Sequence, residues 1–480
     1  MKALAPSRRG MTLIEMLVAT TCTLVLMGAI AQVFGAFGNA VSDSRSMIEM
    51  DGQLRSVAWR LRNDLAGATA RTLPPLEVEA GEGYFEIVEG PRTDGSGTLD
   101  PTTGAVLPIG PADSDDILLF TTRNTETPYL GRYDSNPTNT TTTKTTESQL
   151  AEVAWFLRPT DTQGASQQVK TYTLFRKQLL VIGYVGFAPF YGVTYENAVT
   201  QAAYPNWTTL YESFDLSATL FSNGLFSYQN PLFAPNSLAD LTRSSSRFMH
   251  NPDGSPYRAD GATPKTMTDF QFPANYQASP PPDGLIFDRT KASMRVGEDV
   301  VLTNVLAFDV RVFDPSVPVG VTSDMALVPG DGGPGGTGWS AAGPFSGYGA
   351  YVDLGWFGGP TTLIGPASPT GGPGQAPRFA DLPNSRSGLR PANASGNRIW
   401  DSWSTHYESN GIDDDGNGPI DQGSDAIDND SNGSIDDKLE LETLPPYSTP
   451  LRGIEVRIRC YEPSSRQVRQ VTIRHSFVPR

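Results

Sequence analysis

"RRGMTLIEMLVA", residues 8–19, sets two arginines and a glycine directly before a long apolar run that carries one acid, Glu15. An ionised carboxylate inside a membrane helix is costly, so such a group marks a functional site whose partner has to be found. From Leu17 to Phe37 no charged residue occurs. About 21 helical residues at ~1.5 Å each cover about 31 Å, close to the thickness of a bilayer's hydrocarbon core. Lys2, Arg8 and Arg9 all precede the run. The positive-inside rule therefore predicts a single-pass membrane protein with its N-terminus in the cytoplasm and an extracytoplasmic head. A cleaved secretory signal is the competing reading, because Ala29-Ile30-Ala31 has the small-x-small pattern of a signal peptidase site. Glu15 and the length of the apolar run weigh against it.

After Asn39 the pattern changes character without stopping. Met47, Met50, Leu54, Val57, Leu61, Leu65 and Ala68 recur at spacings of three and four, which is one face of an amphipathic helix. Charged residues, Asp64 among them, fall mainly off that stripe, and Pro74-Pro75 ends it. The spacing predicts one helix of about sixty residues, membrane-spanning over 11–38 and amphipathic over 39–72.

The stretch "RRG" followed by "MTLIEMLVA" resembles the leader and N-terminal segment of type IV pilins and type II secretion pseudopilins. That resemblance implies a leader of residues 1–10, cleavage between Gly10 and Met11 by a membrane prepilin peptidase, and N-methylation of Met11. It further implies that the Glu15 carboxylate faces the N-terminal amine of a neighbouring subunit in a filament, so that the acid serves assembly. Family members usually have Phe where this chain has Met11.

Beyond residue 75 short β-type runs alternate with Gly, Pro, Asn and Asp: residues 83–90, 115–124, 152–159, 171–183 and 303–315. Residues 453–478 alternate apolar and polar positions on both sides of a Pro-Ser-Ser turn and read as a hairpin. Strands closed by this hairpin behind "RLRNDLAGA" (60–68) are similar to the J-type minor pseudopilin of type II secretion, or to the W-type minor pilin. The expectation is an α+β, pilin-like fold: a long N-terminal helix packed on an antiparallel β-sheet head with large loop insertions. The head occupies 76–327, a Gly/Pro-rich insertion 328–400, an Asp-rich segment 401–445, and the closing hairpin 449–480. The Thr-rich stretch 136–148 and the Gly/Pro-rich stretch 328–375 read as surface excursions. Residues 190–280 are compatible with short strands or long loops.

The formal net charge is −16, and loss of the three leader cations takes it to −19. This balance excludes a general nucleic-acid binder, which needs clustered cations to displace counterions from phosphates. Cys22 and Cys460 give no disulfide framework. Between residues 413 and 437 one unit, D-x-D-x-N-G-x-I-D, occurs twice, fifteen residues apart. The first copy offers Asp413, Asp415, Asn417 and Asp421, the second Asp428, Asp430, Asn432 and Asp436. Side-chain oxygens at positions 1, 3 and 5, a turn glycine at 6, an inward apolar residue at 8 and an acid at 9 suit a hard cation wrapped by six or seven oxygens. The units resemble calcium loops of the EF-hand-like and thrombospondin type 3 kind, which implies structural calcium. They depart from the EF-hand at position 12, where Ser424 and Leu439 stand, so further ligands would come from Asp425, Asp437, Glu440, carbonyls or water. A solvated acidic linker is the alternative.

His250, His406 and His475 lie without ligand spacing, and no nucleophile elbow, phosphate-binding loop or zinc motif occurs. The expected function is a non-enzymatic minor pseudopilin that helps to initiate or cap a periplasmic pseudopilus driving protein export. Its partners would be other pseudopilins or pilins, the prepilin peptidase and the inner membrane, with no nucleic acid. A minor pilin of a type IV pilus or competence system, and a membrane-anchored binding module or enzyme, are the alternatives.

Overall fold

The computed structural model describes residues 12–89, 113, 114, 116–133, 145–159, 171–183, 194–196, 203–205, 214–221, 232–248, 250, 299–321, 326–328, 345–354, 399–411, 413, 418–437, 440–443, 445, 447 and 449–478. Helix α1, Leu13–Ala66, is continuous over 54 residues. Its apolar half is uncovered by the other described residues, with Leu24, Val25, Val33, Phe34 and Phe37 all about two-thirds exposed or more. In its second half the three-four stripe becomes core: Met50, Leu54, Val57, Leu61 and Leu65 are buried. The helix ends six residues before the expected residue 72. There Gly67 comes so close to the neighbouring strand that a Cβ on it would lie 2.3 Å from the Arg123 carbonyl oxygen. The Gly67 carbonyl accepts from the Arg123 N–H at 2.7 Å and Ala68 bridges Thr122, so the chain leaves the helix directly into extended pairing.

Sixteen strands follow α1 among the described residues. In chain order they are β1 Phe85–Val88, β2 Ile117–Arg123, β3 Tyr129–Arg132, β4 Thr145–Ser148, β5 Leu150–Pro159 and β6 Tyr172–Leu180. Then come β7 Thr194–Glu196, β8 Ala203–Pro205, β9 Ala218–Phe221, β10 Leu232–Pro235, β11 Val300–Val321 and β12 Ala326–Leu327. The last four are β13 Phe345–Val352, β14 Ile399–Asp401, β15 Gly453–Glu462 and β16 Gln467–Ser476. Ten of them form one antiparallel sheet in the order β14-β1-β2-β5-β6-β11-β15-β16, with β12 and β13 added along the far part of β11. The architecture is thus the expected α+β one, a long N-terminal helix on an antiparallel sheet.

Both faces of this sheet are covered, which explains why β2 is buried at six consecutive positions instead of alternating. On one face Phe85, Phe120, Trp155, Phe308, Val310, Val456 and Ile458 pack against the α1 stripe. The opposite face meets Phe214, Leu216, Leu241, Phe248, Trp403 and Tyr407. The long stretch 190–280 therefore supplies, through residues 214–248, a second layer as well as short strands.

Three readings need correction. Asp64 is buried at 3 % exposure, because Arg176 grips it with Nε and a terminal nitrogen, both at 2.7 Å, and Trp155 Nε1 donates to it at 3.0 Å. The stretches expected to be surface excursions also contribute pairing: Thr145–Ser148 forms β4 against β3, and Phe345–Val352 forms β13 against β11. Backbone hydrogen bonding recruits both despite their Thr and Gly content. Finally, the boundary expected at 400/401 falls inside β14, which pairs with β1 at one sheet edge. The remainder of both excursions, 136–144 and 329–344 with 355–375, lies outside the described residues.

Candidate functional site

Two regions carry the functional argument, the free end of α1 and the acidic segment. At the start of α1, Thr12 is the N-cap and Glu15 the third helical residue, and together they make a capping box. Glu15 Oε2 accepts from the Thr12 N–H at 2.8 Å, and Thr12 Oγ1 accepts from the Glu15 N–H at 3.3 Å. The signature was present in the sequence as Thr-x-x-Glu, and it gives this carboxylate a capping role at the start of the helix. Gly10 and Met11 lie outside the described residues. From Leu13 onward one helix passes from the fully exposed apolar half into the packed half, without a break. Its first part is long and apolar enough to cross a membrane.

In the acidic segment the described residues of the two copies share two contacts. Gly418 N–H donates to Asp413 Oδ2 at 3.1 Å and Gly433 N–H donates to Asp428 Oδ2 at 2.9 Å, so the position-1 acid closes each turn. Both turn glycines have positive φ, 116° and 93°, which is why position 6 must be glycine. The position-9 acids each accept a backbone bond. Asp421 accepts from the Gly411 N–H and Asp436 from the Ala426 N–H, each ten residues back, which pins successive turns together.

Around the second copy, oxygens of Asp428, Asp430 and Glu440 lie within 4.8 Å of one another and could hold a cation. Glu440, buried at 2 %, is itself aimed by the N–H groups of Asn429, Asp430 and Asp437. Asn432 turns its oxygen to the Ser434 N–H and its nitrogen to Asp430 and Asp437. In the first copy Asp415 and Asn417 lie outside the described residues. The apolar residues at position 8 do not point inward: Ile420 is 53 % and Ile435 61 % exposed. Among the described residues no facing loop covers them.

The segment is anchored to the head by Glu408, whose carboxylate accepts from the Glu442 and Thr443 N–H groups at 2.9 and 3.0 Å. Burial pushes the Glu408 carboxyl above its ordinary pKa. Gly423 passes so near this clamp that a Cβ would meet Glu408 Oε2 at 2.2 Å.

The histidines sit in structural settings. His250 Nε2 lies 3.2 Å from Glu86, inside a buried network in which Arg247 joins Glu86 and Asp401 at 3.0 and 2.8 Å. His406, lowered to about 4 by burial and by Arg243, is held neutral on a short helical turn. His475 is on the edge strand β16 and is also lowered by burial.

Comparison with curated proteins and with solved structures gives no match. Residues 6–31, which end within the apolar half of α1, match the prokaryotic N-terminal methylation motif, so the chain carries a prepilin-type N-terminal signal.

Proposed function

We propose that the protein is a non-enzymatic structural subunit of a pilin-like filament, and more narrowly a minor pseudopilin of type II secretion with a J-type head. The observation that carries this reading is the division of α1: an apolar half with no partner among the described residues, continuous with a half that is core of the head. A helix built this way leaves the bilayer only by exchanging lipid for the helices of other subunits, and the methylation motif at its start marks the processing that precedes such exchange. In that reading the prepilin peptidase cuts between Gly10 and Met11. The Glu15 carboxylate then trades its capping bonds for a neighbour's N-terminal amine in a low-dielectric bundle. A ten-stranded head with added layers suits a terminal position in the filament, where bulk on one side meets no next subunit, and this supports initiation or capping. Calcium in the acidic segment would order a self-repelling run of carboxylates and has no catalytic part.

Glu15→Gln tests the reading, since Gln also serves a capping box and only the charge is deleted. Processing and membrane insertion should be unchanged, while crosslinks to other pseudopilins or pilins fall several-fold. Unchanged crosslinking would favour a membrane-anchored binding module. Crosslinks to subunits encoded beside a retraction ATPase would make the protein a minor pilin.

A further inference from the structure

Away from both regions, five acids from four distant parts of the chain meet inside the head. Glu89 follows β1, Asp113 and Asp116 precede β2, Asp309 lies on β11 and Asp353 follows β13. Their exposures are 5, 0, 0, 1 and 1 %, respectively. Oxygens of Glu89, Asp113 and Asp116 lie within 4.8 Å of one another, as do oxygens of Asp113, Asp309 and Asp353, so Asp113 belongs to both groups. The backbone holds them there: Phe308 N–H donates to the Asp113 carbonyl at 3.0 Å, Val310 N–H to Asp116 Oδ2 at 2.7 Å, and Leu354 N–H to Glu89 Oε2 at 3.3 Å.

Among the described residues neither carboxylate oxygen of Asp113 has a hydrogen-bond partner. The neighbouring arginines reach only one side of the group among the described residues. Arg311 lies 3.0 Å from Asp309 and 3.2 Å from Asp353, and Arg457 is 2.7 Å from Glu455 and 3.8 Å from Asp309. Buried charges are paired or coordinate metals, and Asp113, the acid common to both groups, takes a bond from neither arginine among the described residues. Burial, and then Asp116, Glu89, Asp309 and Asp353, push the Asp113 carboxyl well above the usual carboxylate range. Calcium bonds oxygen at about 2.3–2.6 Å, so ligands across one ion stand up to about 5 Å apart, which matches the spacing of these oxygens.

We infer that Asp113, with Glu89 and Asp116 on one side and Asp309 and Asp353 on the other, forms a buried site for a hard divalent cation of calcium's size, separate from the acidic repeat. The ion would fasten both ends of the β1–β2 connection to the middle of β11 and the end of β13. It would serve stability of the head and not sensing, because its ligands are inaccessible to solvent.

The test uses the full chain in detergent micelles, with the repeat silenced by Asp413→Asn, Asp428→Asn and Asp430→Asn. After removal of metal with chelator, calorimetric titration with calcium chloride should show about one tight equivalent in the silenced protein and none once Asp113→Asn is added. At a hundredfold excess over Kd the silenced protein should melt about 5 °C higher in calcium than in chelator. Adding Asp113→Asn should abolish that difference, and in chelator the variant should melt no lower than its parent, because the amide relieves like-charge repulsion. A silenced protein that binds no calcium, or binding that survives Asp113→Asn, overturns the inference. Should the variant not fold, calcium-soaked crystals of the unaltered chain decide it: an anomalous peak beside Asp113 is expected, and its absence is contrary.

Discussion

Asp64→Ala tests how the head is fixed to its helix. The carboxylate accepts three bonds, two from Arg176 at 2.7 Å and one from Trp155 Nε1 at 3.0 Å, and the side chains of the pair are 4 % and 8 % exposed. Because both partners are buried, solvent screening does not weaken the pair as it would at a surface. Deleting the acid leaves a guanidinium desolvated and an indole N–H without its acceptor. Breaking a buried pair from one side costs about 3–5 kcal/mol. Gln178 Oε1, 2.8 Å from the Arg176 guanidinium, stays as an acceptor, so about 3 kcal/mol is the expectation. Replacing both partners, Asp64→Ala with Arg176→Met, removes the uncompensated charge and should recover about 2 kcal/mol of that loss. Denaturant unfolding of the full chain in detergent, followed by tryptophan fluorescence, measures all four proteins of the cycle, with Trp155, Trp400 and Trp403 as buried reporters. A single variant that loses under about 1 kcal/mol, or a double variant no more stable than the single, would refute the account of this clamp.

In the acidic segment, millimolar calcium should slow proteolysis between residues 411 and 443 relative to chelator, by up to about 2.7 kcal/mol of local stability at a hundredfold excess over Kd. Asp428→Ala with Asp413→Ala should remove the difference. Glu440→Gln should weaken it, because Glu440 converges with Asp428 and Asp430, whereas Asp436→Asn should leave it in place because Asp436 is committed to the Ala426 N–H. Equal proteolysis with and without calcium would establish a solvated linker. His406 gives a pH prediction: its folded pKa is about 4 against an ordinary 6.5, so the folded state resists its protonation. The stability this contributes is intact above pH 6.5 and is lost progressively as pH falls towards 4. Allowing for partial exposure it amounts to about 1–2 kcal/mol. Thermal melts of the wild type and of His406→Gln between pH 7 and pH 4 should converge by that amount, and parallel curves would contradict the assignment.

Regular local patterns made the helix, the main strands and the closing hairpin legible from sequence. The three-four stripe from Met47 to Ala68 needed no knowledge of the sheet it meets, and the hairpin pairs Gly453 with Ser476 through Glu462 with Gln467 across one short turn. What could not be read depends on partners far away in the chain. Asp64 looks like a surface acid until Arg176 lies over it. A three-residue strand such as β14 exists only because β1 offers an edge more than three hundred residues earlier. Gly67 is a local stop signal at the helix C-cap, but its close approach to Arg123 depends on a strand far along the chain. In the acidic segment the repeat and its turn glycines were legible, but the recruitment of Glu440, the use of Asp421 and Asp436 as backbone ties and the outward Ile420 and Ile435 were not. The acids around Asp113 come together only through the sheet.

The central claim is that α1 begins as a processed, methylated N-terminus that enters a filament, and the intact mass of the protein extracted from membranes tests it most directly. The account predicts a mature chain that starts at Met11 with one added methyl group, confirmed by N-terminal sequencing. A mature chain that starts at Gln32, after the small-x-small site, would contradict it and make the apolar run a secretory signal.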